Sequence, residues 1–140
     1  MMKKISLFVA LLLGGCTAIE IKQVESSHNM DHVCIEYNAK VTIDEFVRIV
    51  EDIFQDHGIT TEVYKGLTPE NCNFKLTYTA LRSWDLTPYL SHAELRLFKG
   101  NERIGYAEYH LKGKGGLALN KWASVKTKMT PVVNRLLAQY

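Results

Sequence analysis

Apolar and polar positions alternate, or recur at helical spacing, over most of this chain. His32 to Tyr37 alternates, with Val33, Ile35 and Tyr37 on one side and Cys34 and Glu36 on the other, as in a half-buried strand. Ile43, Phe46, Val47, Val50, Ile53 and Phe54 then recur at helical spacing. Thr42 and Glu45 have the spacing of a capping box, and Gly58 suits a left-handed stop, so the pattern predicts a helix over 43–57. Ile59 to Lys65 is short and rich in β-formers, as in an outer strand. Asn73 to Leu81 alternates, with Phe74, Leu76, Tyr78 and Ala80 on the apolar side. Arg82 to Tyr89 breaks the alternation and reads as a loop. It resumes in Ser91 to Phe98 and in Arg103 to Leu111, on either side of Gly100-Asn101, a two-residue hairpin signal. That turn would set Leu97 opposite Ile104 and Leu95 opposite Tyr106 on the core side. Trp122, Val125, Met129, Val132, Val133, Leu136 and Leu137 share one face of a last helix, with Asn120 as its cap. Pro131 should kink that helix, or restart it behind Thr130.

Two amphipathic helices must cover one sheet face. The expected fold is therefore α+β: a two-layer sandwich with one mixed sheet of four to five strands, both helices on one face and the other face open. Thr17 to Met30 has no apolar period, and residues 16–30 read as a flexible tether ahead of a single domain over 31–140.

The first residues change the picture most. Met1-Met2-Lys3-Lys4 precedes the apolar run Ile5 to Leu13, and Gly14-Gly15 follows, the layout of a signal peptide over 1–15. Nine apolar residues are too few to span a bilayer, which takes about 20. Leu13-Gly14-Gly15-Cys16 resembles the bacterial lipobox, with Gly14 where Ala or Ser is commoner. The resemblance implies that Cys16 is lipidated and becomes the first residue of the mature protein. Thr17, with no Asp in its place, favours the outer membrane over the inner one, periplasmic side.

Charge excludes one class of partner. Of 17 Lys and Arg, Lys3 and Lys4 leave with the signal, so 15 remain against 15 Asp and Glu, which argues against general nucleic-acid binding. The balance is uneven: residues 16–72 hold 4 basic and 11 acidic side chains, residues 73–140 hold 11 and 4. The simplest reading is an acidic helix packed beside a basic one. With Cys16 used by lipid, Cys34 and Cys72 remain, an even pair that in an exported chain reads as a disulfide. Both stand near the starts of their strands, so a bridge implies parallel neighbours, with the sulfurs on the open side or rim of the sheet.

From Lys75 onward, the runs Leu76 to Leu86, Ala93-Glu94-Leu95-Arg96-Leu97, Gly115-Gly116-Leu117 and Lys121-Trp122 resemble the small Gram-negative lipoproteins of the YafY/YfjS type. The resemblance implies a lipid-anchored envelope protein, loosely linked to envelope stress. It supplies no catalytic residues.

Ser83, Asp85 and His92 could form a nucleophile–base–acid set, but no nucleophile elbow surrounds Ser83, and no catalytic residue is expected. His28, His32, His57, His92 and His110 are dispersed, which points to no metal and no cofactor. Gly113-Lys114-Gly115-Gly116 reads first as a connector. Its amides with Lys112 and Lys114, and Lys121 nearby, also offer an anion-binding loop. Arg82, Trp84 and Asp85 are the candidate recognition loop, since Trp and Arg are frequent at binding hot spots; the plainer reading is a loop stapled over the core. The expected function is a lipid-anchored binding or structural module facing the periplasm, with an envelope protein as partner. A lysozyme- or toxin-inhibitor role falls within that class, and a small periplasmic enzyme acting on cell wall or lipid is the alternative.

Overall fold

A computed structural model describes residues 17–140. The segment 1–15 expected to be a signal peptide, and Cys16, lie outside the described residues. Eight main elements follow in order: β1 (Thr17–Lys22), β2 (His32–Glu36), α1 (Phe46–Asp56), β3 (Thr60–Tyr64), β4 (Phe74–Asp85), β5 (Thr87–Lys99), β6 (Glu102–Leu111) and α2 (Val125–Leu136). Short 3-10 turns occupy Ser26–His28, Lys112–Gly115 and Leu119–Trp122. The chain is α+β, with one mixed six-stranded sheet in the order β1-β6-β5-β4-β2-β3 and two helices. β1, β6, β5 and β4 are antiparallel neighbours, while β2 runs parallel to both β4 and β3.

The sixth strand comes from the segment expected to be a tether. Thr17 to Lys22 pairs residue by residue with β6, from Thr17 opposite Leu111 to Lys22 opposite Tyr106. Only Ile19 and Ile21 carry apolar side chains toward the core, and they are half-buried. The edge position of the strand explains why alternation alone did not reveal it. Beyond it, the Val24 amide donates to the Leu136 carbonyl (3.1 Å), so the chain passes beneath the end of α2.

β4 and β5 are longer than expected, because Arg82 to Asp85 and Thr87 to Leu90 continue the pairing instead of forming a loop. A register shift after Leu81 leaves Ser91 as the extra residue, and its side chain caps the irregularity by donating to the Leu81 carbonyl (3.3 Å). A second shift near the Gly100-Asn101 turn changes the expected pairing. Lys99 does face Glu102, but Ile104 is extra, so Leu97 faces Gly105 and Leu95 faces Ala107. Tyr106 therefore lies on the face opposite the core, half-buried beside Arg96.

Both helices begin later than their patterns imply. Ile43 to Phe46 closes a separate turn (3.1 Å), and Glu45 makes no side-chain cap, so the Thr42–Glu45 capping box is not formed. Ser124, not Asn120, caps α2 by accepting from the Thr127 amide (3.1 Å). The helix runs through Pro131 without a new cap, and the Thr130 hydroxyl donates instead to the Lys126 carbonyl (2.6 Å). α1 and α2 pack against each other, with His57 Nε2 2.9 Å from Asn134 Oδ1, and Asp52, Asp56 and Lys126 line one groove. Among the described residues, no ion pair joins the two helices. The acidic and the basic helix are neighbours, as the charge split implies, but without fixed bridges, as fits exposed pairs worth about 0–1 kcal/mol.

The apolar core gathers Phe46, Val50 and Phe54 of α1, Met129, Val132 and Leu136 of α2, and Leu76, Leu95, Leu97 and Ala107 of the central strands. Gly105 is needed for its close contacts: a Cβ there would lie 2.6 Å from Val24 Cγ2 and 3.2 Å from Leu136 Cδ1. We expect Gly105→Ala to lower unfolding stability by about 1–3 kcal/mol, the ordinary effect of overpacking, as read by urea denaturation. A neutral result would mean that Val24 can move away freely.

Cys34 and Cys72 are bridged, with Cα atoms 5.6 Å apart. Cys34 pairs with Lys75 and Ile35 with Leu76 in parallel, as the positions of the two cysteines imply. Cys34 is fully buried yet stands outside the apolar core cluster, on the face opposite Val33 and Ile35.

Candidate functional site

The β4–β5 hairpin reaches past the rest of the sheet. Its turn is a single residue, Leu86, between Asp85 and Thr87, and Leu86 has φ +61°. Beyond the Ser91 irregularity, Trp84 and Leu86 are 73% and 84% exposed. Arg82 is exposed as well. The expected recognition loop is therefore a hairpin tip, and Trp84 is not stapled over the core.

Asp85 has a different role from its neighbours. Its carboxylate pairs with the Lys121 ammonium, and its carbonyl accepts from Trp122 Nε1 (2.8 Å). Lys121 is buried and also donates to the Gly116 carbonyl (2.6 Å). The Tyr89 hydroxyl donates to the Lys114 carbonyl (2.6 Å). Together these contacts hold the hairpin backbone against residues 112–122. Asp85 thus clips the hairpin to this segment while its side chain stays half-exposed, and Lys121 is already engaged. Gly115 (φ +84°) is small because a Cβ would lie 2.8 Å from Lys121 Cβ. That is a packing requirement, and it explains the glycine without an anion. Lys112 and Lys114 remain exposed on this segment, and Gly116 is exposed beside them.

Lys128 lies beneath this clip. Its position on a cationic helix suggests a solvated side chain, but it is 6% exposed. Its ammonium donates to the carbonyls of Leu90 (2.9 Å) and Lys121 and sits near the rings of Tyr89 (5.4 Å) and Tyr109 (5.9 Å). No carboxylate is paired with it among the described residues. Burial disfavours the charged form and pushes its pKa down to about 8.

The face of the sheet opposite the core carries a polar network that the sequence reading missed. His92 faces His110, Glu94 faces Glu108 and Arg96 faces Tyr106 across β5 and β6, and Glu20 of β1 faces Glu108. His92 Nδ1 is 3.1 Å from His110 Nδ1, and His92 Nε2 is 3.2 Å from Glu94 Oε1. Arg96 pairs with the other oxygen of Glu94, and the Tyr106 hydroxyl donates to Glu108 Oε2 (2.7 Å). Burial, then the bond to Glu108 and the carboxylates nearby, raise the Tyr106 pKa far above its usual range. Ligand atoms of His92, Glu94 and Glu108 lie within 4.8 Å of one another, so these three could hold a cation. His92-x-Glu94-x-Arg96 and Tyr106-x-Glu108-x-His110 are visible in the sequence, but without the extra Ile104 their faces do not coincide. His32, Cys34 and Glu62 form a second close group, but the bridge withdraws Cys34 as a ligand.

Ser83, Asp85 and His92 are not brought together. Ser83 donates to Ser91 Oγ (2.9 Å), Asp85 pairs with Lys121, and His92 contacts His110 and Glu94.

No family model matches the chain, and no curated protein matches it in sequence. Two solved structures are similar in fold. One is a PelC dodecamer from Paraburkholderia phytofirmans, at TM-score 0.57 and 10% identity, covering 87% of this chain and 97% of that one. The other is a single-substitution variant of that dodecamer in a different space group, at TM-score 0.53 and 11% identity, covering 83% and 96%. At this identity the likeness is one of fold, and the chain shares the backbone architecture of those subunits.

Proposed function

We propose that this chain is a lipid-anchored envelope protein on the periplasmic side, acting as a non-catalytic binding or structural module built as a two-layer sandwich. The lipobox-like Leu13-Gly14-Gly15-Cys16 and the resemblance to the YafY/YfjS type support the anchor, and Thr17 favours the outer membrane over the inner one. The bridged Cys34–Cys72 pair fits an oxidising compartment. The observation that carries the binding role is the sheet face bearing His92, Glu94, Arg96, Tyr106 and Glu108, half-buried side chains in a row. Conserving the fold needs no such row: like charges directly opposite one another, as Glu20, Glu108 and Glu94 are, destabilise a sheet. Arg96 offsets Glu94, and a partner that supplies positive charge would relieve Glu20 and Glu108. The fold likeness to subunits described as a dodecamer makes a second copy of this chain the first partner to test.

In the test, labelled palmitate should enter the wild type and not Cys16→Ala. A photo-crosslinker placed at Thr79 or Glu108 should give one discrete adduct in intact cells, and one placed at Lys126 on α2 should give none. Equal palmitate labelling of both chains would remove the anchor. Adducts spread equally over both faces would remove the binding role. The alternative, a small periplasmic enzyme acting on cell wall or lipid, draws on the same His92–Glu94–Glu108 group. Turnover of such a substrate by the purified protein, lost in Glu94→Gln, would favour it.

A further inference from the structure

We propose that the end of the domain formed by Trp84, Leu86, Leu117 and Leu119 docks onto the phospholipid bilayer that holds the Cys16 lipid, with Lys112 and Lys114 against lipid phosphates. This rests on the reading of Cys16 as the lipidated residue.

The strand register places Thr17, the residue that follows Cys16 in the chain, and the hairpin tip at one end of the described residues. Ala18 pairs with His110, and His110 with His92. Thr17 thus starts β1 at the end where β6 finishes and where the β4–β5 hairpin runs on toward its tip. From that row, which Leu81 shares, to Leu86 the hairpin continues for five positions, a reach of about 17 Å at 3.3 Å per residue if straight. Cys16 is covalently next to Thr17, with its Cα about 3.8 Å away. Because β1 is paired from Thr17 onward, little slack separates anchor and sheet. The headgroup zone is only about 5–7 Å deep on each side of a bilayer. With the lipid of Cys16 inserted, the hairpin tip meets the membrane surface.

The side chains at this end match that surface. Leu117 is 100% exposed and Leu119 80%, on the segment clipped to the hairpin through Lys121, Trp122 and Asp85. With Trp84 and Leu86 they make four large exposed apolar side chains on two segments that are clipped together. Trp is favoured at the level of lipid headgroups. Leu86 adds an independent argument. Its φ of +61° suits Gly or Asn, and a Leu in that backbone is strained. Being exposed, its side chain gains nothing from the core and is free to meet a surface outside the domain. Lys112, Lys114 and Arg82 are the exposed cations here, and the one acid of the tip, Asp85, is neutralised by Lys121. Asp44 and Glu45 stand across a cleft from Arg82 and offset that residue, so Lys112 and Lys114 carry the attraction to phosphate.

The test uses the full processed protein, reconstituted in phosphatidylethanolamine and phosphatidylglycerol vesicles with brominated acyl chains. The chain has two tryptophans, Trp84 and Trp122. Bromine should quench the wild type relative to plain vesicles, and the quenched component should vanish in Trp84→Phe, a substitution at an exposed position that leaves the fold intact. Protein that takes palmitate and floats with vesicles, yet shows no Trp84 quenching, overturns the docking and leaves the anchor standing. Absence of quenching together with protection from aqueous iodide overturns it in favour of a protein cover, such as a second copy. Failure to take palmitate at Cys16 overturns the anchor, and the docking with it.

Discussion

Replacing both Cys34 and Cys72 with alanine is expected to lower the unfolding free energy by about 4 kcal/mol. The bridge closes a loop with a sequence separation of 38, and the chain-entropy relation gives that magnitude for a loop of this length. The loss arises mostly in the unfolded chain, which regains the freedom the bridge removed. The apolar core should change little, because Cys34 packs outside it and parallel pairing of β2 with β4 remains available. Urea denaturation should therefore show a lower midpoint, while near-ultraviolet circular dichroism of the folded variant stays close to the wild type. Thiol titration of denatured, unreduced mature protein should find no free thiol once the acylated Cys16 is set aside. Two free thiols, or an unchanged urea midpoint, would remove the bridge as a stabilising element.

Stability should rise by about 2–3 kcal/mol between pH 8 and pH 10, opposite to the usual expectation that alkali destabilises. The cause is Lys128, whose pKa is pushed from 10.5 down to about 8 by burial. Below pH 8 it is charged in both folded and unfolded chains, and the full cost of burying the charge is present. Between about 8 and 10.5 the folded protein has released the proton while the unfolded chain retains it. The unfolded state then binds more protons, so the unfolding free energy climbs by about 1.4 kcal/mol per pH unit. Above 10.5 both states are neutral and the gain is complete. Tyr78, Tyr106 and Tyr109 act in the other direction: burial raises their pKa values, so their contribution is lost as pH rises above 10. The clean window therefore closes near pH 10. Lys128→Met should flatten the urea midpoint across that window. Equal slopes in the two proteins would assign the effect to another group.

The periodic patterns carried much of the architecture. The apolar faces of α1 and α2, the edge position of β3 and the parallel neighbours implied by Cys34 and Cys72 all follow from residue types and spacing. Burial selects those side chains, so their period is written into the chain. β1 escaped detection because an edge strand needs few apolar residues. The hairpin tip read as a loop because its side chains face solvent, and alternation registers burial rather than hydrogen bonding. Arg82, Trp84 and Asp85 were legible as unusual residues, but the role of Asp85 as a clip beside the exposed Trp84 depends on the buried Lys121, 36 positions away from Asp85.

By itself, the sequence determined the α+β class, the pairing of Cys34 with Cys72 and the expectation of an anchor at Cys16. These are local properties: periodicity, an even cysteine count and a short motif. Only the tertiary structure decided the rest. A single extra residue, Ile104, turned His92, Glu94, Glu108 and His110 onto one face, since a shift of one position exchanges the faces of a strand. The same folding buried Lys128 on a helix that reads as solvated, because the hairpin backbone at Leu90 and the turn at Lys121 close over it. It also set Thr17, Trp84, Leu117 and Lys112 at one end of the sheet. Strand register fixes that geometry, and register is a relation between segments that no single segment encodes.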